Sequence, residues 1–197
     1  MKHLSFIKYI AICVLSLFVF LPINAQKKTH QRARTTHRTV TTTSTVSITD
    51  PMVVNGHLAF LGIDVTQSRS AIAQQLKAKG FVEYKNENSP YPFYKGMAYG
   101  VKCDLSINQE DENRNINYRE LKRYKLSAAK ARMNALANAL LKASGGKVTD
   151  KYIQSDQGLV KIEGNNWYIE IMYANEDEVN FTSAYNTIYL TFYNYYE

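Results

Sequence analysis

The residues that could do chemistry are few, and their spacing does not suit it. Of the 4 histidines, His3 lies in the first 25 residues, His30 and His37 in a threonine-rich stretch, and His57 alone at the start of an apolar run. A zinc site needs several convergent ligands, so no metal or cofactor is expected. Glu110-Asp111-Glu112 and Glu176-Asp177-Glu178 could hold calcium with help from flanking carbonyls. Neither follows the alternating acidic order of a calcium loop, and both read better as solvated hairpin loops. No G-x-S-x-G is present, and no cysteine has a plausible histidine partner. Asp104 and Glu120 are the remaining carboxylates worth naming, and nothing in the sequence brings them together. A non-catalytic binding module is therefore the first expectation. A hydrolase whose acid and base converge only in space is the alternative.

The aromatic residues say more. The chain has 15 Tyr, 8 Phe and 1 Trp, and 11 of these 24 fall in residues 147–197. A tyrosine carries an apolar ring with a polar tip, so it suits half-buried β positions and recognition surfaces alike. Ile188, Leu190 and Phe192 alternate with Tyr189, Thr191 and Tyr193, which places the two sets on opposite faces of a strand. With helices over the aliphatic side, Tyr189, Tyr193 and Tyr195 stand on the open side as candidate binding residues. Trp167 and Tyr173 share one face of a neighbouring strand, and either extend that patch or sit in the core.

These tyrosines must be held by a folded domain, and the chain does not begin with one. Lys2 and Lys8 precede an apolar run from Tyr9 to Leu21, broken by Pro22 and ended by the small residue Ala25. That is the layout of a secretory signal, with cleavage expected between Ala25 and Gln26. The run is shorter than the roughly 20 residues of a membrane-spanning helix. Cys13 follows Ile12 and precedes more apolar residues, which argues against lipidation. The expected product is periplasmic or extracellular, with no membrane span. Its one cysteine, Cys103, has no intrachain partner and reads as a buried thiol.

Residues 26–47 are basic, rich in threonine and free of acidic side chains. They read as a disordered leader that touches anionic surfaces only weakly. Seven of the 24 basic residues precede Ile48, leaving 17 to meet 17 acidic ones. A basic tail on a neutral domain is no nucleic-acid footprint. The expected partner is an envelope protein or a glycan.

Residues 48–197 form the domain. Ser68 caps a helix carrying Ile72 and Leu76, stopped by Gly80; Ser127 caps a second one carrying Met133, Leu136 and Leu140, stopped by Gly145-Gly146. Strand signals cover 57–65, 81–84, 93–107, 116–124, 151–154, 159–163, 167–173 and 186–195. A polar loop is expected at 108–115, and a tight turn at Gly164-Asn165-Asn166. The order predicts an α+β fold: antiparallel sheet with two helices on one face, as a duplicated αβββ unit with half-units 57–126 and 127–197. Phe60-Leu61-Gly62-Ile63, followed by Leu76-Lys77-Ala78-Lys79-Gly80-Phe81, resembles exported proteins of unknown function from Bacteroides-type gut bacteria. In the second half, Gly145-Gly146 stands where those proteins carry a tyrosine-glycine-x-proline turn. The layout is also similar to small envelope proteins of the outer-membrane assembly lipoprotein and β-lactamase-inhibitor-like type. No site residue is implied by either likeness.

Overall fold

Tight turns shape the start of the domain. Asn55-Gly56 and Leu61-Gly62 have positive φ throughout (53° and 85°; 51° and 76°), the backbone that two-residue hairpins require. They fold β1 (Val53–Val54), β2 (His57–Phe60) and β3 (Ile63–Asp64) into a small antiparallel sheet. The run 57–65, expected as one strand, is thus a hairpin. Leu61 hid the turn inside an apolar sequence. The computed structural model describes residues 46–87, 89–110, 113–176 and 183–195, all within one compact unit. Most of the expected leader lies outside them, and Val46, at its end, packs against the core.

The helices follow their capping chemistry unequally. In α1 (Arg69–Ala78) the Ser68 hydroxyl accepts from the Ala71 N–H at 3.3 Å, and Ile72 and Leu76 are buried. The second helix, α2 (Leu126–Ser144), starts before Ser127: Lys125 is its N-cap, with no side-chain hydrogen bond. Gly145, at φ 69°, closes it in the left-handed conformation as expected.

Each helix leads into a meander of four strands: β4 (Val82–Tyr84), β5 (Phe93–Ala98), β6 (Val101–Glu110) and β7 (Asn113–Glu120) after α1; β8 (Lys147–Ile153), β9 (Gln157–Gly164), β10 (Trp167–Asn175) and β11 (Asn186–Asn194) after α2. The first half gains its fourth strand at Tyr99-Gly100, a positive-φ turn (50° and 81°) that splits the expected run 93–107. The expected loop 108–115 is mostly strand, since β6 and β7 continue their pairing to Glu110 and Asn113. The two meanders meet through β7 and β11, giving one eight-stranded antiparallel sheet in the order β4-β5-β6-β7-β11-β10-β9-β8. The fold is α+β, and each helix is followed by four strands rather than the three expected.

Both helices and the small sheet pack on one face of the large sheet. Phe60, Ile63, Ile72, Leu76, Met133, Leu136, Leu140, Ile169, Ile171, Leu190 and Phe192, the expected core, are all at most 1% exposed. Cys103 joins them, fully buried. Two glycines on β9 make room for aromatic rings: a Cβ on Gly158 would lie 2.3 Å from the Tyr173 ring, and one on Gly164 2.1 Å from Trp167. The outer strands are poor templates for further pairing. β4 has 3 residues, and β8 carries a register shift between Val148 and Asp150 among exposed charged side chains.

The uncovered sheet face as candidate functional site

Cross-strand partners share a face, so the register defines what the helix-free side presents. One row runs Lys95–Asp104–Arg119–Tyr189–Met172–Leu159. The next runs Phe93–Ser106–Asn117–Thr191–Glu170–Lys161, and a third Asn108–Asn115–Tyr193–Tyr168–Glu163. Among the described residues no helix or strand crosses this side.

Tyr189 and Tyr193 are half-buried on this face, and Tyr195 is 45% exposed. Tyr193 stacks on Tyr168, its direct partner across the β10–β11 ladder, with ring centroids 4.7 Å apart and planes at 19°. Tyr195 meets both, at 5.4 Å from Tyr193 and 5.5 Å from Tyr168. The Lys161 ammonium sits 4.4 Å from the Tyr168 ring centroid, and its charge is matched by Glu163 at 2.7 Å. Burial, then the Glu170 carboxylate, raises the Tyr168 phenol above its ordinary value, so it stays protonated and able to donate.

Toward β4 the face is charged. Asp104 accepts from Arg119 at 2.7 Å and lies 4.0 Å from Lys95, whose ammonium is 4.6 Å from the Tyr84 ring centroid. That bond to Asp104 holds the Arg119 guanidinium above its ordinary range. Between the two ends lie amides: Asn117 donates to Asn115 at 2.9 Å and accepts from Thr191 at 3.2 Å. The surface is an aromatic patch joined to a hydrogen-bonding strip.

Asp104 and Glu120 do not form a pair. Asp104 pairs with Arg119 and Glu120 with Cys103, so the two carboxylates face opposite sides of the sheet. Glu120 is held in the core: it accepts from Arg132 at 2.7 and 2.9 Å, from the Tyr118 hydroxyl at 3.0 Å, and from Tyr124. Arg132 also donates to the Tyr99 carbonyl at 2.7 Å. This network ties α2 to β7.

Trp167 and Tyr173 lie in the core, at 4% and 0% exposure. They share parity with Ile169 and Ile171, and that alternation was the signal for their burial. Tyr168, one residue on, is the patch member that sequence reasoning missed. His57 is also less isolated than its position implied. Its Nδ1 lies 3.1 Å from Asp64, whose other oxygen accepts from the Thr66 hydroxyl at 2.7 Å and from the Thr66 N–H at 2.8 Å. The β2–β3 hairpin that joins them was hidden in the sequence. His57 and Thr66 line a cleft of about 400 Å³ with Asn55, Arg114, Asn165, Asn166 and Tyr195. Tyr195 thus belongs to both the cleft and the aromatic patch. Glu176, from the second acidic cluster, binds Arg123 at 2.6 and 2.8 Å; Asp111, Glu112, Asp177 and Glu178 lie outside the described residues. Among the described residues no group of acidic, histidine or cysteine side chains suits a metal ion, and no helix is long and apolar enough to cross a membrane.

The chain matches no family model, no curated protein and no solved structure.

Proposed function

We propose that this protein is exported and works as a binding module, holding its partner on the uncovered face of the eight-stranded sheet. One observation carries the reading: Tyr168, Tyr189, Tyr193 and Tyr195 gather on the side that the helices leave open. Rigid tyrosines offer amphipathic contact area at low entropy cost, and here a continuous sheet fixes them. The hydrolase alternative has the His57–Asp64 pair in its favour. Yet the Thr66 hydroxyl is engaged with Asp64, and the cleft's other side chains are amides, a guanidinium and a phenol. Such a set holds a ligand better than it attacks one.

Export rests on residues 1–25, with their basic start, apolar run and small residue at Ala25. Mass spectrometry of the protein recovered outside the cytoplasm is expected to find Gln26 at the N-terminus. Recovery only with the membrane fraction, residues 1–25 retained, would contradict export. For the binding role, immobilised protein is expected to capture an envelope protein or glycan that the Tyr189→Ala/Tyr193→Ala variant releases. Equal capture by both proteins argues against this face.

A further inference from the structure

We infer that one corner of the large sheet, around Met97, Lys102 and Leu121, docks the protein on an anionic phospholipid surface. The inference goes beyond the binding role, which uses other residues of the same face.

The corner carries apolar side chains that the fold leaves in solvent. Val82 is 68% exposed, Met97 56% and Leu121 37%. Single exposed apolar residues are ordinary, but these stand together. Met97 pairs with Lys102 across β5 and β6, and the Leu121 N–H donates to the Lys102 carbonyl at 2.9 Å, which carries that row past the end of β7. Val82, on β4, pairs with Lys95, two residues before Met97 and on the same face. Apolar and cationic side chains thus alternate from β4 to the end of β7.

Charge complementarity names the partner. Lys95, Lys102 and Lys122 are exposed. Among the described residues, neither Lys102 nor Lys122 has a carboxylate within salt-bridge distance. The carboxylates around them are matched: Asp104 by Arg119 at 2.7 Å, Glu83 by Lys77 at 2.6 Å, Asp50 by Lys79 at 3.3 Å and Glu176 by Arg123. Strands β7 and β11 stand between Lys102 and Glu176, which separates them by about 14 Å, beyond the screening length of about 8 Å at physiological salt.

The segment that leads into the domain adds charge at the same place. Ser47 and Ile48 line a hollow of about 370 Å³ together with Met97 and Gly100, so the chain enters the domain beside this corner. Residues 26–45 contain Lys27, Lys28, Arg32, Arg34 and Arg38 and no acidic residue. Each basic residue held near an anionic membrane raises affinity about fivefold, while apolar side chains enter the interface. Either signal alone anchors weakly, and the two together hold. The tyrosine patch stays free of the lipid: Tyr193 pairs with Asn115, about 20 Å along β7 from Leu121.

The test is co-sedimentation of the chain from Gln26 onward with vesicles of phosphatidylglycerol, and with vesicles of phosphatidylcholine, which has no net charge. Binding is expected to phosphatidylglycerol only. It should fall steeply between about 0.1 and 1 M salt, as the screening length shrinks from about 10 to 3 Å. Lys102→Gln/Lys122→Gln should weaken it about tenfold or more, and Met97→Ser/Leu121→Ser should weaken it as well. All four positions are exposed, so circular dichroism of both variants should match wild type; if the serine variant unfolds, the glutamine variant decides. Tyr189→Ala/Tyr193→Ala should bind vesicles as wild type does, which separates this site from the binding role. Binding to both lipids alike, or to neither, overturns the inference. So does unchanged binding of Lys102→Gln/Lys122→Gln, which would leave the attraction to residues 26–45 alone.

Discussion

Cys103 shows how one residue's setting decides its chemistry. Burial, with the Asp104 and Glu120 carboxylates nearby, pushes its thiol up to about 12. In the unfolded chain a cysteine titrates near ~8.5. The folded value is raised, so the stability it reflects is complete below the unfolded value and declines as pH climbs toward the folded one. A thiol reagent at pH 8 is therefore expected to leave Cys103 unlabelled in the native protein and to label it fully in denaturant. Rapid labelling of the native protein would contradict the buried setting. This residue was legible from the alternation of Val101, Cys103 and Leu105. His57 was not, because its contact with Asp64 crosses a turn that Leu61 disguised as strand. Trp167 and Tyr173 were half-legible: their shared parity with Ile169 and Ile171 pointed inward, but a tyrosine-rich composition pointed outward.

At the scale of elements, hydrophobic periodicity located both helices and the strands that follow them. Leu136 and Leu140 sit at 0% exposure on the face of α2 that their spacing indicated. Short turns inside apolar runs escaped, since Tyr99 and Leu61 are unusual residues at positive φ. The polar fastening of α2 escaped as well. Arg132 and Glu120 are 12 positions apart on different elements, and a helix pattern scores an arginine there as exposed. Both are buried, at 7% and 2%. Removing one partner strands the other charge in the core, which costs about 3–5 kcal/mol. Arg132→Met is expected to lower the unfolding free energy in urea by about that amount. A change below about 1 kcal/mol, the size of an exposed pair, would show that the network is solvated.

For the whole molecule, the sequence order of helices and strands was readable, but the strand order in space was not. Pairing of β7 with β11 brings together segments about 75 residues apart, and no local pattern encodes that partnership. It is also what joins the two meanders into one sheet and places the tyrosines of β10 and β11 beside the amides of β7. Helices cover one side, and the other presents the aromatic patch; the proposed function follows from this asymmetry. The most direct measurement is the affinity of a captured partner for three proteins: wild type, Tyr189→Ala/Tyr193→Ala, and a control altered at the exposed α2 residues Asn138 and Lys142. Two interface tyrosines are worth about 2 kcal/mol or more when they are binding anchors, so the tyrosine variant is expected to bind roughly thirtyfold more weakly. Its circular dichroism should match wild type, and the helix-face control should bind as wild type does. A folded tyrosine variant with unchanged affinity, or a loss confined to the helix-face control, would contradict the account.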